Sequence, residues 1–283
     1  MPGVINVDYV KCLSIVILLI GVGLSLSEIV LQEAISENAS PKNQIKEEIS
    51  LVDVEDVSVQ PLRVGERLTY NIKVSWVPLS AGQRIDHIEK KLPFNRKSVY
   101  HITSQVKTSA VASRIHRFQN RQSTFLNTVG FFPLSFRNQL QDKKYRARVE
   151  INFRDGEAEY EKISQNKPNE PEKREKKKIE IPFGTQDELS MIYFLRCKKL
   201  APGNTYFFPL ITKAKVAKVT ISVKQGEVLK VKGLGRVRTL VVRTSHGYRL
   251  WLTDDPRHIP VRIEAEVKIG KMKANLEKIE FIR

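Results

Sequence analysis

The feature that most constrains this chain is a period of two. Residues 145–154 place Tyr145, Ala147, Val149, Ile151 and Phe153 on one side and Arg146, Arg148, Glu150, Asn152 and Arg154 on the other. Side chains alternate across a β-strand, so this segment buries its apolar set on one face only when extended; a helix would scatter that set around its circumference. The same alternation runs through 68–76, where Leu68, Tyr70, Ile72, Val74 and Trp76 share a face, and through 259–269, where Ile259, Val261, Ile263, Ala265, Val267 and Ile269 do. Asp155-Gly156 follows the first run and is a strong short hairpin signal, so a return strand near Ala158 and Tyr160 is expected. Gly270 marks another turn, with Met272, Ala274 and Leu276 on the way back. Residues 216–223, 227–232 and 236–244 read as further short strands, separated by Gly226 and by Gly233 and Gly235.

One segment has helical spacing. Thr185-Gln186-Asp187-Glu188 fits a capping box; Leu189, Ile192 and Leu195 follow, and Pro202-Gly203 closes the stretch. A helix is predicted near 185–198. Residues 166–178 are highly charged without apolar anchors and read as a solvated loop. The fold class expected is mainly β: a curled or spiral antiparallel sheet, half-barrel-like, of ten or more strands with one inserted α-helix, making a single domain over 61–283.

The N-terminus differs in kind. Residues 13–26 form an apolar run flanked by Lys11, with Ser25-Leu26-Ser27 after its centre. Its length suits the core of a secretion signal and falls short of a membrane span. Residues 1–27 are therefore read as a signal peptide, with an uncleaved N-terminal membrane anchor as the alternative; either engages the membrane and its secretion machinery. The expected location is the periplasm or outer envelope, or the inner membrane if the N-terminus is retained. Residues 28–60 read as an acidic linker.

Charge sharpens this division. The net charge is +17; residues 1–27 sum to zero and 28–60 to −6, so the remainder carries +23. A body that basic favours anionic partners. Export removes nucleic acid from the set and leaves anionic lipid or envelope glycan.

Catalytic signatures are absent. No nucleophile elbow, zinc-protease, phosphate-loop or dinucleotide fingerprint occurs, and Gly233-Leu234-Gly235 lacks the third glycine. The five histidines lack ligand spacing. Of the two cysteines, Cys12 falls in the leader, which leaves Cys197 without an internal partner once the leader is removed. Asp254-Asp255-Pro256-Arg257-His258 gathers two carboxylates and a histidine between two strands, and Asp and Pro are ordinary turn formers, so a structural turn is expected. No catalytic residue, metal or cofactor is assigned.

Three segments carry a family resemblance. Val64-Gly65-Glu66-Arg67-Leu68-Thr69-Tyr70 with Ala81-Gly82, Gln186-Asp187-Glu188-Leu189-Ser190 with Tyr193-Phe194-Leu195-Arg196, and Leu250 through Val261 together resemble the domain-of-unknown-function 3108 family of exported bacterial envelope proteins. The resemblance covers roughly 61–281. It implies a periplasmic or outer-envelope location and a curled sheet similar to that of some lipid carriers, and it transfers no catalytic residue. The function expected is non-catalytic binding of a lipid or other amphipathic anion on the concave sheet face, with Tyr70, Trp76, Phe153 and Trp251 lining the groove. The alternative is a structural or interaction protein of the envelope that contacts another protein or the cell wall.

Overall fold

The computed structural model describes residues 62–74, 79–267 and 270–282 of the 283-residue chain. The readings made for 1–60, and that for Trp76, lie outside the described residues. In chain order the elements are β1 (Glu66–Val74), β2 (Gly82–Phe94), β3 (Lys97–Thr108), α1 (Ala110–Ser113), β4 (Phe118–Asn127), β5 (Pro133–Asp142), β6 (Tyr145–Arg154), β7 (Glu157–Gln165) and β8 (Lys173–Glu180). There follow α2 (Ser190–Arg196), β9 (Thr205–Thr212), β10 (Lys215–Gln225), β11 (Leu229–Val231), β12 (Gly235–Val237), β13 (Thr239–Thr244), β14 (Tyr248–Thr253), β15 (Pro260–Val267) and β16 (Gly270–Phe281). The alternating runs become β1, β6 and β15, and the Asp155-Gly156 turn joins β6 to β7 with Gly156 at φ 78°.

Fourteen strands form one antiparallel sheet in the order β8-β7-β6-β5-β4-β3-β2-β1-β16-β15-β14-β13-β10-β9, and β11 pairs with β12 as a separate hairpin. The sheet is two meanders, β1 to β8 and β9 to β16, joined along β1–β16, where Glu66 faces Phe281 and Tyr70 faces Leu276. It does not close into a barrel: β8 and β9 are its edges. The chain between those edges supplies the plug. Gln186 bonds to β9 in a short parallel bridge, donating to the Pro209 carbonyl and accepting from the Ile211 amide. Helix α2 then enters the interior.

All seven residues of α2 are buried. A helix apolar on every side needs partners on every side, and here both meanders provide them. Ile88, Ile102, Leu126, Phe136 and Ile151 come from one; Phe208, Val219, Ile221, Val242 and Leu250 come from the other. Each large side chain buried in this way contributes about 1.5–3 kcal/mol. At the opposite end Leu68, Tyr70, Ile72 and Val74 gather with Phe118, Leu140 and Ala112 of α1 in a second cluster. Ser109 caps α1 by accepting from the Ala112 amide.

Three local expectations need correcting. Residues 173–180, placed in or next to a charged loop, form β8, paired along its length with β7. Its side chains are exposed on both faces, so it carries no apolar period. The pairing instead sets Lys176 against Glu161 and Lys178 against Glu159, with diagonal ion pairs from Arg174 to Glu161 and from Lys178 to Glu157, and opposite charges across strands stabilise a pair. The helix begins later than predicted because Thr185 does not cap it: its hydroxyl donates to the Pro182 carbonyl, and Asp187 accepts from the Leu189 and Ser190 amides instead. The short α1 was not foreseen.

Candidate functional site

An antiparallel meander sends alternate turns to the same end of the sheet. The turn after β2 (Asn95, Arg96), the β4–β5 connection (128–132), the β6–β7 turn (Asp155, Gly156) and the segment after β8 (181–185) therefore meet at one rim. Asn95 and Arg96 both have positive φ, 48° and 61°, as a tight hairpin turn whose twist matches its strands demands. Ile181 donates to the Gly156 carbonyl, and the Thr185 to Pro182 bond of 2.6 Å fixes the short turn that presents Phe183. Between these elements lies an open cleft of about 560 Å³, within the roughly 300–1,000 Å³ typical of small-molecule sites. Phe132, Leu134, Phe153, Ile181, Pro182 and Phe183 give it apolar walls, and Lys97, Arg154, Asn95 and Asp155 add polar groups. The Phe132 and Phe183 rings touch at 5.3 Å between centroids, with the Lys97 ammonium 5.7 Å from the Phe132 ring. Phe183 is 65% exposed.

A second constellation is closed to solvent. Arg196, near the end of α2, donates to both carboxylate oxygens of Glu66 on β1 at 2.6 and 3.0 Å, and its Nε donates to the Arg257 carbonyl at 3.2 Å. His258 Nδ1 lies 3.3 Å from the Arg196 carbonyl. Burial pushes the Arg196 pKa down, but the charge and hydrogen bonds of Glu66 more than offset it, so the guanidinium is held protonated above its ordinary range. Tyr70 and Tyr193 stand beside this pair; burial, then the charge of Asp86, raises both phenols well above their ordinary pKa. Groups fixed and sealed in this way orient α2 against β1 and the 254–258 turn. The three segments that carry the family resemblance thus converge on one buried ion pair.

The 254–258 turn is held by its own atoms. Asp255 accepts from the Arg257 amide at 2.9 Å, the Arg257 guanidinium at 2.7 Å and the Thr253 hydroxyl at 3.0 Å. Burial raises the Asp255 pKa, and the Arg257 and Thr253 bonds reverse that and lower it. Beside the turn a smaller cleft of about 310 Å³ is lined by Arg236, Arg238 and Arg257 with Asp254 and Asp255. Among the described residues no group of three His, Cys, Asp or Glu side chains is placed to hold a metal.

Of the residues expected to line a groove, Phe153 reaches the rim cleft. Tyr70 is fully buried, its hydroxyl donating to the Pro260 carbonyl at 2.9 Å. Trp251 alternates with Leu250 and Leu252, which pack on α2, so it points to the other face, where the Arg262 guanidinium covers it at 5.3 Å from the ring. These three do not share one groove, and α2 occupies the concave face. The sequence reading missed Phe132 and Phe183. Both come from connections, and the available signal was an aromatic set between Pro182 and Gly184, where no strand or helix could bury it.

Residues 69–277 match the model of a family described as Protein of unknown function (DUF3108). No curated protein matches the chain. Among solved structures, the β-barrel-like protein of domain of unknown function DUF1849 from Brucella abortus is 14% identical, with a TM-score of 0.49, covering 77% of this chain and 98% of its own. A proposed exported protein with a YmcC-like fold from Bacteroides fragilis is 9% identical, with a TM-score of 0.33, covering 78% of this chain and 97% of its own.

Proposed function

Since the chain belongs to the DUF3108 family of proteins of unknown function, we propose that it is an exported, non-catalytic protein of the cell envelope that binds an amphipathic anion, with the apolar part of the ligand in the rim cleft and its charged group beside Lys97 and Arg154. The observation that carries this reading is the cleft itself: phenylalanine walls left open to solvent, with cations in the lining. Each methylene buried there contributes about 0.8 kcal/mol, so a short length of acyl chain is enough to hold a ligand. The leader at 1–27 and the +23 of the body support an envelope location and an anionic ligand.

The test is titration of a fluorescent fatty acid in vesicle-free solution, with displacement by unlabelled palmitate. Saturable, displaceable binding is expected. Phe183→Ala should weaken it about tenfold, the equivalent of ~1.4 kcal/mol, or roughly 55 Å² of lost apolar contact. No saturable binding by the unmodified chain would retire this reading. It would favour the alternative of a structural or interaction protein, which the packing of α2 into the concave face supports.

A further inference from the structure

The concave face is not apolar throughout. Beside α2 it carries a polar band. Ser104 of β3, Gln122 of β4 and Asn138 of β5 stand opposite one another from strand to strand, and Asn120 shares their face two residues along β4. Gln122 donates to Glu188, just before α2, at 3.3 Å, which fixes the row as interior. Thr212 of β9 donates to the other Glu188 oxygen at 2.6 Å and ties the band to the second meander. Tyr248 of β14 stands beside them: burial, then the charge of Glu188, lifts its phenol to about 12. The charges of the band are set against one another. Asp86, opposite Ser104, accepts from Arg84 at 2.8 Å. Burial raises the pKa of the Glu188 carboxyl, with the Thr212 bond and the Lys213 ammonium opposing it.

Three atoms in this band have no hydrogen-bond partner among the described residues: Ser104 Oγ, Asn120 Oδ1 and Asn138 Oδ1. Ser104 and Asn120 are 3% and 7% exposed. An unpaired buried polar atom is costly, so three on adjacent strands require a partner. Gln122, Asn138, Glu188, Thr212 and Tyr248 are half-buried, and the sheet is open between β8 and β9, so solvent reaches the band. Spacing and charge narrow what the partner is. Oxygens around one cation lie within about 5 Å of each other, whereas Ser104 and Asn138 are two strands apart, about 9.6 Å. With its charges set in opposite pairs, the band favours an uncharged ligand. We infer that it binds a neutral saccharide, whose hydroxyls donate to Asn120 and Asn138 and exchange hydrogen bonds with Ser104 across that span. This site is separate from the rim cleft and takes no amphipathic ligand.

The test titrates the nitrogen-15-labelled full chain with maltose, cellobiose and N,N′-diacetylchitobiose and follows the side-chain amide signals by NMR. Those of Asn120, Gln122 and Asn138 should shift saturably with at least one of the three sugars, while that of Asn95 at the rim cleft stays in place. Asn138→Leu should weaken binding at least tenfold and leave the melting temperature unchanged or higher, because it removes an unpaired polar atom from the interior. Ser104→Ala deletes a single hydroxyl, so it carries the same comparison if Asn138→Leu fails to fold. No saturable shift with any of the three sugars, shifts confined to residues outside the band, or full affinity in the folded variants would each overturn the inference. A fatty acid in the rim cleft should move Asn95 and leave the band untouched, so failure at one site is separable from failure at the other.

Discussion

Replacing Arg196 by methionine isolates what the buried ion pair contributes. The Arg196 and Glu66 side chains are 0% and 4% exposed and meet through two hydrogen bonds at 2.6 and 3.0 Å. Arg196→Met strips the guanidinium from a carboxylate that water cannot reach, and it removes a donor from the Arg257 carbonyl. Removing one partner of a buried pair costs about 3–5 kcal/mol, because the remaining charge is uncompensated. A domain of this size shifts its melting point by roughly 2–4 °C per kcal/mol, so the variant should melt on the order of 10 °C lower. The double change Glu66→Leu with Arg196→Met removes both charges and fills the space with apolar atoms; it should recover most of the loss, since such replacements are often neutral. Urea unfolding of all four forms, followed by circular dichroism, closes the cycle. A loss below about 1 kcal/mol, or additive losses across the cycle, would refute the claim that this pair fixes α2 to β1.

Two other outcomes are expected. Burial lifts the Asp187 pKa to about 6 even though the Ser190, Thr124 and Leu189 hydrogen bonds pull it down. Its stabilising contribution is therefore complete below the unfolded value near 4 and lost as pH rises through about 6, so the stability difference between the native chain and Asp187→Asn should change by up to about 3 kcal/mol between pH 4 and 7. A flat difference in denaturant melts would contradict this. Burial also raises the Cys197 thiol to about 12, against weaker opposing effects of Arg196 and Lys198. Its reaction with a disulfide reagent should be negligible in the native chain at pH 8 and prompt in urea, since the thiolate is the nucleophile; prompt native labelling of Cys197, located by peptide mapping, would show that α2 opens.

What could be read in advance follows burial. Strands buried on one face announce themselves by period two, so β1, β6 and β15 were legible to within a few residues. β8 was not, because both its faces meet water and its pairing rests on the complementary charges of Glu157 and Glu161, whose register no local pattern reveals. The helix was legible from Leu189, Ile192 and Leu195, while its start was misread because Thr185 found a nearer acceptor in the Pro182 carbonyl. The cleft was least legible. Its walls come from four connections up to 90 residues apart, and only the sheet order, with β1 to β8 as a regular meander, brings them together. Glu66 and Arg196 sat within the recognisable segments, yet their partnership spans 130 positions and has no local signature.

The seam between β1 and β16 sets a schedule for assembly. The first strand of the sheet pairs with the last, and the Gly65 carbonyl accepts from the Ile282 amide at the end of the described chain. Each meander can zip from its own hairpins, but the two halves have no common strand pair until β16 has been made. Closing so long a loop is entropically costly and kinetically slow. A nascent chain lacking its last fourteen residues would hold two half-sheets and a helix without a complete socket, and so would stay open. Under the export proposed above, the chain would cross a membrane before it folds, and late closure would keep it pliable until β16 arrives.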